Sequence, residues 1–142
     1  MNARPAARGH RELAHTADVI IESWAPSLVG ALEEAVLACA ESAAELGGVV
    51  ARAHREVRLP HRSPSEDLVR VLEEVLYALD AEGLVPCSVE IALSGGELSC
   101  SFGLAEVEDA VPTGVVPKGV SYSELAVVER DGTWRCHAIL DV

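Results

Sequence analysis

Ser63-Pro64-Ser65-Glu66 opens the clearest structural signal in this chain of 142 residues. Ser63 is suited to cap a helix, Pro64 to occupy its first position, and Glu66 to bond back to the capping residue. Five apolar residues follow at helical spacing, namely Leu68, Leu72, Val75, Leu76 and Leu79. Gly83 is a suitable stop. The stretch therefore predicts an amphipathic helix that buries one face.

Downstream of Gly83 the pattern changes to strands. Residues 84–93 and 97–106 flank Ser94-Gly95-Gly96, which favours a tight hairpin turn. Residues 120–129 and 133–142 flank Arg130-Asp131-Gly132, where Asp-Gly has the same preference. The segment between the hairpins contains two prolines and a glycine, so residues 109–117 are expected to be loop.

Upstream, residues 12–24 read as an extended, half-buried segment. Ser27 can cap a first helix whose apolar series runs to Leu46, with Gly47-Gly48 as its stop, and residues 49–59 resemble a second strand. The predicted order is β-α-β-α-β-β-β-β. We expect an α+β fold with two helices packed on a mainly antiparallel β-sheet. Residues 10–142 are expected to form a single domain, preceded by a flexible tail over residues 1–9.

The charge of the chain limits its binding partners. Twenty-three acidic residues against eleven basic ones give a net charge of −12. Such a surface repels phosphate backbones, which argues against broad, direct binding of nucleic acid or of an anionic membrane. No apolar run approaches the length that spans a bilayer, and no secretory signal is recognisable, so a cytoplasmic location is expected.

The four cysteines and the glycines indicate no conventional catalytic centre. None of the cysteines forms a C-x-x-C pair, and buried free thiols are the simplest interpretation. A nucleophile elbow, a P-loop and a dinucleotide-binding glycine motif are all absent from the sequence.

Carboxylates near the two ends of the domain are the best candidates for chemistry. Asp141 and the terminal carboxylate of Val142 lie side by side at the end of an apolar strand pattern. If Asp18 approaches from a neighbouring strand, three carboxylates converge, and such an all-oxygen set suits Ca²⁺, Mg²⁺ or Mn²⁺ better than zinc. From spacing alone, solvated strand-end carboxylates are the commoner explanation. By the same standard, His15 is an ordinary structural residue and Lys118 is an ordinary surface residue.

Five motifs, in order along the chain, resemble the archease family. They are His15-Thr16-Ala17-Asp18, Leu32-Glu33-Glu34-Ala35, Val75-Leu76-Tyr77 with Asp80 and Glu82-Gly83-Leu84, Lys118-Gly119-Val120-Ser121-Tyr122, and Leu140-Asp141-Val142. The resemblance extends from about residue 10 to the last residue. Ser123, Gly119 and the segment 102–117 depart from the family pattern.

The resemblance implies a metal-binding accessory protein rather than an enzyme. Asp18, Asp141 and the carboxylate of Val142 would be the metal ligands, with Ca²⁺ the favoured ion and Mg²⁺ or Mn²⁺ as alternatives, and His15 and Lys118 would support the site or contact a partner. That partner would be an RtcB-type RNA ligase, whose guanylylation and repeated turnover archeases promote in tRNA splicing and RNA repair. Contact with GTP and RNA would be indirect, through the ligase.

Two other functions remain open at this level. One is a stand-alone metal-dependent hydrolase or nucleotidyl enzyme, with Asp18 and Asp141 as ligands and His15 as base. The other is a chaperone-like module that serves several nucleic-acid enzymes.

Overall fold

The computed structural model describes residues 7–14 and 18–142. These residues contain two helices, α1 and α2, and nine strands, β1 to β9. The helices are α1 (Leu28–Ala43) and α2 (Pro64–Tyr77), and a π-helical turn (Ala78–Glu82) extends α2. The strands are β1 (Gly9–Ala14), β2 (Asp18–Ala25), β3 (Ala44–Glu45), β4 (Ala53–Pro60), β5 (Leu84–Ser94), β6 (Glu97–Glu106), β7 (Val111–Pro112), β8 (Gly119–Arg130) and β9 (Thr133–Asp141).

The strands form two main antiparallel sheets and one short pair. A four-stranded sheet has the order β1-β2-β9-β8, and a three-stranded sheet has the order β4-β6-β5. The two-residue strands β3 and β7 pair with each other. The α+β class, with two helices and antiparallel strands, is confirmed. The strands divide between two main sheets, however, whereas the sequence pattern predicts one.

Helix α1 explains this division, because it contacts strands of both sheets. It packs on β1, β2 and β9 of the four-stranded sheet and on β5 of the three-stranded sheet. Ten of its 16 residues are buried, many of them alanines. A helix that is apolar on nearly all sides must be covered on nearly all sides. A single sheet could not cover it, so the core is built as layers around α1.

Helix α2 is confirmed as the sequence predicts it. The Ser63 hydroxyl accepts a hydrogen bond from the Glu66 N–H at 3.2 Å and donates one to the Glu66 carboxylate at 3.0 Å. Gly83 ends the segment with a φ of 65°, in the left-handed region where glycine is unstrained. Both hairpins are also confirmed, with β5–β6 turning at Gly95-Gly96 and β8–β9 at Asp131-Gly132.

The first helix is shorter than predicted. It ends at Ala43, and Ala44 is already extended and paired with Pro112. The Thr113 hydroxyl donates to the Ser42 carbonyl at 2.7 Å, and the Thr113 N–H donates to the Ala43 carbonyl at 2.9 Å. A loop distant in sequence therefore satisfies the last helical carbonyls, and the helix does not reach Gly47-Gly48. The following strand also begins later than predicted, at Ala53.

The N-terminal region contains a strand that the apolar pattern does not reveal. The single extended segment expected over residues 12–24 is two paired strands, β1 and β2, in which Gly9 lies opposite Trp24. Within the predicted tail 1–9, Arg8 pairs with Glu34 at 2.6 Å and Gly9 opens β1. The Arg8 contact is ionic, and hydrophobic periodicity does not indicate an ion pair.

Across the described part of the chain, neither helix combines the length and apolar character needed to cross a membrane.

Candidate functional site

Asp18 and Asp141 face each other across neighbouring strands. Asp18 opens β2, Asp141 closes β9, and the two are direct partners in the antiparallel register. Side chains at such positions share one face of the sheet, with Cβ atoms about 4.5–5.5 Å apart. Asp18 is half-buried and Asp141 is exposed. The tertiary structure thus brings together two carboxylates that are far apart in the sequence.

The third strand at this edge contributes Gly119, also directly opposite Asp141. A side chain on Gly119 would begin 3.6 Å from an Asp141 carboxylate oxygen, so glycine leaves the space beside that carboxylate open. The Lys118 N–H donates to the Asp141 carbonyl at 2.7 Å, which anchors the end of β9 to the start of β8. We call the edge formed by Asp18, Asp141 and Gly119 the acidic tip.

The acidic tip brings two opposed carboxylate side chains together. Neither Asp18 nor Asp141 makes an ion pair with any residue that the structure describes. Val142 follows directly and is 53% exposed. Among residues 7–14 and 18–142, no group of three His, Cys, Asp or Glu side chains is arranged to hold a metal. Two carboxylate side chains of the described residues therefore meet here. His15 lies outside the described residues.

Lys118 has no ion-pair partner among the described residues, although its backbone supports the acidic tip. Its side chain lines a cleft between α2 and β8, together with Tyr77, Asp80 and Tyr122. Glu82, in the same helical turn as Asp80, forms a two-pronged ion pair with Arg55 at 2.7 and 2.8 Å. Residues of two family-like motifs, Tyr77 with Asp80 and Lys118 with Tyr122, thus line this cleft, and Asp18 and Asp141 of two others meet at the acidic tip.

A charge network that sequence reasoning misses joins β1 to α1. Both ring nitrogens of His10 contact carboxylates, Nδ1 that of Glu34 at 2.8 Å and Nε2 that of Glu41 at 2.6 Å. A neutral imidazole carries one N–H, so contacts to two ionised carboxylates fit the doubly protonated ring. Burial lowers the pKa of His10, but the hydrogen bonds to Glu34 and Glu41 outweigh burial and raise it overall. Glu34 and Glu41 are seven residues apart, a helical spacing that signals a shared face.

Asp67 is a second group without a clear sequence signal. It is fully buried at the start of α2, where its carboxylate accepts from the Arg62 N–H at 2.9 Å and contacts His61 Nδ1. Its place one residue after the capping box makes it part of the helix N-terminus, where a negative charge is favourable. The contact with Asp67 indicates a structural role for His61.

All four cysteines are free, and Cys39, Cys100 and Cys136 are buried. Burial raises the pKa of the Cys39 thiol to about 12 and that of Cys136 to about 11. Thiols with such values are poor nucleophiles near neutral pH. The interpretation of these three cysteines as buried free thiols is confirmed.

The fold and the site together define a class of small α+β protein, in which two antiparallel sheets enclose a helix and two aspartates are paired at a sheet edge. Residues 10–142 match the model of the Archease protein family (MTH1598/TM1083). The chain belongs to the archease family.

Named relatives agree with this assignment. The chain is 39% identical over 134 residues to "Probable protein archease" of Mycobacterium tuberculosis, covering 94% of this chain and 75% of that protein. It is 26% identical over 135 residues to "Protein archease" of Pyrobaculum islandicum, covering 90% and 91%.

Two solved structures share the fold. Protein 1598 of Methanobacterium thermoautotrophicum superposes with a TM-score of 0.75 at 23% identity, covering 94% of this chain and 99% of that one. An archease of Thermotoga maritima, described as a possible chaperone, gives a TM-score of 0.68 at 20% identity, covering 93% and 96%.

Proposed function

We propose that this protein activates an RtcB-type RNA ligase by promoting its guanylylation and repeated turnover in tRNA splicing or RNA repair, and that it is not itself an enzyme. Family membership over residues 10–142 supports the proposal. The observation that carries it is the direct pairing of Asp18 with Asp141 at an exposed sheet edge. A cytoplasmic location fits this role.

The acidic tip suits a hard divalent cation. Two opposed carboxylates repel each other unless a cation or a proton lies between them. Asp18, Asp141 and the terminal carboxylate of Val142 would supply only oxygen ligands, the donors that Ca²⁺ prefers and that Mg²⁺ or Mn²⁺ also accept. When bound, the ion would supply positive charge at the tip. It would thereby hold the ends of β2 and β9 in one arrangement.

The residues around the tip have positioning roles in this proposal. The Lys118 N–H fixes the Asp141 backbone, and Gly119 keeps the outer side of that carboxylate accessible. With a net charge of −12, the protein is suited to approach a basic, nucleotide-holding cleft of a ligase. Complementary charge speeds and orients such docking. GTP and RNA would be contacted only through the ligase.

The decisive experiment is guanylylation of the host's RtcB-type ligase with GTP and Mn²⁺, with this protein at substoichiometric concentration. We expect strong stimulation by the wild type and its loss in Asp141→Asn. Asp131→Asn is the matched control, because it makes the same change at the other end of the same hairpin, where the side chain is exposed. Stimulation that survives in Asp141→Asn would exclude the acidic tip as the active feature.

The terminal carboxylate can be tested separately by adding one glycine after Val142. The extension moves the carboxylate away from Asp141 and leaves every side chain in place. We expect weaker Ca²⁺ binding by calorimetry, whereas a glycine added at the N-terminus should have no effect. Equal affinity in both extended proteins would remove Val142 from the ligand set.

The words "possible chaperone" for the Thermotoga maritima protein favour one alternative, a module that assists several nucleic-acid enzymes. Under this alternative the protein would protect unrelated enzymes from aggregation, and Asp141→Asn would retain that effect. A reaction with the purified protein, GTP and RNA but no ligase tests the alternative of a stand-alone enzyme. That alternative requires turnover of GTP or RNA in this reaction.

A further inference from the structure

Between α2 and β8 lies a groove that the proposed function does not use. Two adjoining clefts form it, of about 370 and 270 Å³. Val69, Glu73 and Tyr122 line both clefts, so the two clefts are neighbours with a shared wall. We call this feature the α2–β8 groove. It is lined by Glu66, Arg70, Glu73, Tyr77 and Asp80 from the helical side and by Lys118 and Tyr122 from the strand side.

Two tyrosine rings are exposed along this groove. Tyr77 is 60% exposed and Tyr122 is 76% exposed. The protein has only two tyrosines and one phenylalanine, so both tyrosines lie in this one feature. Large aromatic rings that are exposed together around a concavity are characteristic of binding surfaces, since their burial contributes much of the energy of association.

Irregular backbone places both rings. In β8, residues 122–125 lie opposite the single residue Ala138 of β9, because Ser121 pairs with Ile139 and Ala126 already pairs with His137. Glu124 within this bulge has a φ of 58°, a strained value for a residue with a side chain. On the other side, Tyr77 directly precedes the π-helical turn. Bulges and π turns redirect side chains and are frequent beside functional sites.

Carboxylates at regular spacing complete the groove. Glu66, Glu73 and Asp80 are seven residues apart, about two helical turns, so they follow one side of the helix. Glu73 and Asp80 make no ion pair with any described residue. Some other carboxylates are paired, as Glu22 is with Arg11 and Glu82 with Arg55, whereas the groove has three carboxylates against two basic side chains, Arg70 and Lys118. The unpaired carboxylates therefore leave negative charge available beside the exposed rings.

We propose that the α2–β8 groove binds an arginine-bearing segment of the partner protein, with a guanidinium group between the Glu73 carboxylate and the Tyr122 ring. Arginine is the side chain that both stacks on an aromatic face and pairs with a carboxylate in a planar, two-bond geometry. Lysine offers a point charge without the stacking surface. The occupant rests on the proposed function, since we take the partner to be the RtcB-type ligase.

The position of the groove supports a shared docking surface. Gly119 and Lys118 belong both to its strand wall and to the edge next to Asp141. A partner seated in the groove would therefore extend directly to the acidic tip. The groove would hold the partner, and the tip would act on it.

The first test measures the affinity of the full-length protein for the host's ligase by biolayer interferometry. We expect Tyr122→Ala and Glu73→Gln each to weaken binding by about tenfold or more, the effect of losing a central interface contact. Tyr122→Phe keeps the ring and should bind like the wild type. Glu90→Gln, an exposed carboxylate on β5, is the control for charge. Unchanged affinity in Tyr122→Ala and Glu73→Gln would overturn the groove proposal while leaving the proposed function standing.

The second test does not depend on the ligase. Acetylated tetraarginine amide and tetralysine amide are titrated into the ¹⁵N-labelled protein. We expect arginine-selective shifts at Glu73, Asp80 and Tyr122, and their loss in Tyr122→Ala. Shifts confined to Asp18 and Asp141, or equal effects of the two peptides, would contradict the proposal. If the wild type does not bind the ligase, the proposed function fails, and this titration alone then decides the groove.

Light scattering of the same variants tests the remaining occupant, a second copy of the chain. A dimer in the wild type that Tyr122→Ala converts to a monomer would mean that the groove serves self-association, and the proposal would be overturned.

Discussion

At the scale of single residues, Asp18 and Asp141 place two negative charges directly opposite each other on one sheet face. Like charges in this arrangement destabilise an antiparallel pair by a few tenths to about 1 kcal/mol. This repulsion destabilises the fold whenever no cation is bound between the two carboxylates. Replacing either aspartate should therefore stabilise the fold when no metal is bound, and should remove the stabilisation that a bound metal gives.

We expect Asp18→Asn and Asp141→Asn each to raise the free energy of unfolding by up to about 1 kcal/mol in a chelating buffer, because the repulsion is removed. Added Ca²⁺ should stabilise the wild type, since a ligand that binds only the folded state increases its stability, and should leave the variants unchanged. Urea denaturation with EDTA or Ca²⁺ measures both effects. A wild type that is indifferent to Ca²⁺, Mg²⁺ and Mn²⁺ would contradict the metal site.

His10 makes a second prediction at this scale. Its pKa in the folded protein is raised, because the hydrogen bonds to Glu34 and Glu41 outweigh the effect of burial. Burial, and after it the charge of Glu41, raises the pKa of Glu12, and Arg8 pairs with Glu34, so His10 lies within a connected group of charged side chains. A raised folded pKa means that the protonated ring stabilises the fold, and that this contribution is complete below the unfolded pKa of about 6.5.

Stability from His10 should consequently be lost as the pH rises from about 6.5 through the raised folded pKa. We expect the difference in unfolding free energy between the wild type and His10→Gln to shrink over this range, from at most about 1 kcal/mol for a partly exposed pair. Urea denaturation between about pH 5.5 and pH 9 measures it. His54→Gln, at an exposed position on β4, is the control. A difference that is constant with pH would refute the doubly protonated ring.

At the scale of the elements, the end of α1 depends on Thr113, which lies in the loop after β7. Its hydroxyl and its N–H bond to the carbonyls of Ser42 and Ala43. Because Ala44 is thereby free to extend and pair with Pro112, the helix ends before its glycine stop. The same local sequence without this loop would continue helical towards Leu46.

Thr113→Val removes the hydroxyl and keeps the shape of the side chain. The hydroxyl donates to the Ser42 carbonyl at 2.7 Å and accepts from the Val115 N–H at 3.2 Å, so two hydrogen bonds are lost. We expect a loss of about 1–3 kcal/mol of stability, at about 0.5–1.5 kcal/mol for each bond. Backbone chemical shifts of residues 44–46 should move towards helical values. Thr133→Val, where no side-chain bond exists among the described residues, should change neither quantity. Extended shifts at 44–46 in Thr113→Val would show that β3–β7 pairing alone ends the helix.

At the scale of the whole molecule, α1 is enclosed by two sheets and consists largely of small residues. Ala31, Ala35, Ala38 and Ala40 are each 1% exposed or less. Small side chains let both sheets approach the helix closely, and the interior has little space for more volume. The layered architecture is therefore sensitive to added volume in α1.

Ala40→Leu should destabilise the protein by about 1–3 kcal/mol, although leucine is nearly as good a helix former as alanine, because overpacking forces neighbouring elements apart. Ala81→Leu, at an exposed position in the π turn, should have little effect. Thermal unfolding of both variants measures the contrast. Equal Tm values would show that α1 has room on one side, contrary to the layered arrangement.

Local signals in the sequence determined the features that depend on neighbouring residues. The capping box at Ser63 and Glu66 specified the start of α2, Gly83 the end of the π-helical turn that extends it, and Gly95-Gly96 and Asp131-Gly132 the two hairpin turns. These features follow from backbone dihedral preferences and hydrogen bonds within a few residues, which a sequence displays directly. The archease motifs could also be recognised from the sequence, since each is a short run of residue types.

Only the tertiary structure decided which distant residues meet. It set Asp18 opposite Asp141, divided the strands between two sheets around α1, and ended that helix with Thr113. It also placed a bulge in β8 beside the α2–β8 groove, and no residue type in the sequence predicts that bulge. Strand register and layer packing arise from long-range contacts, whose energy depends on how all faces are covered at once. Local preferences do not contain these long-range energies. The sequence therefore predicted the elements, and only the fold shows which residues come together at the candidate site.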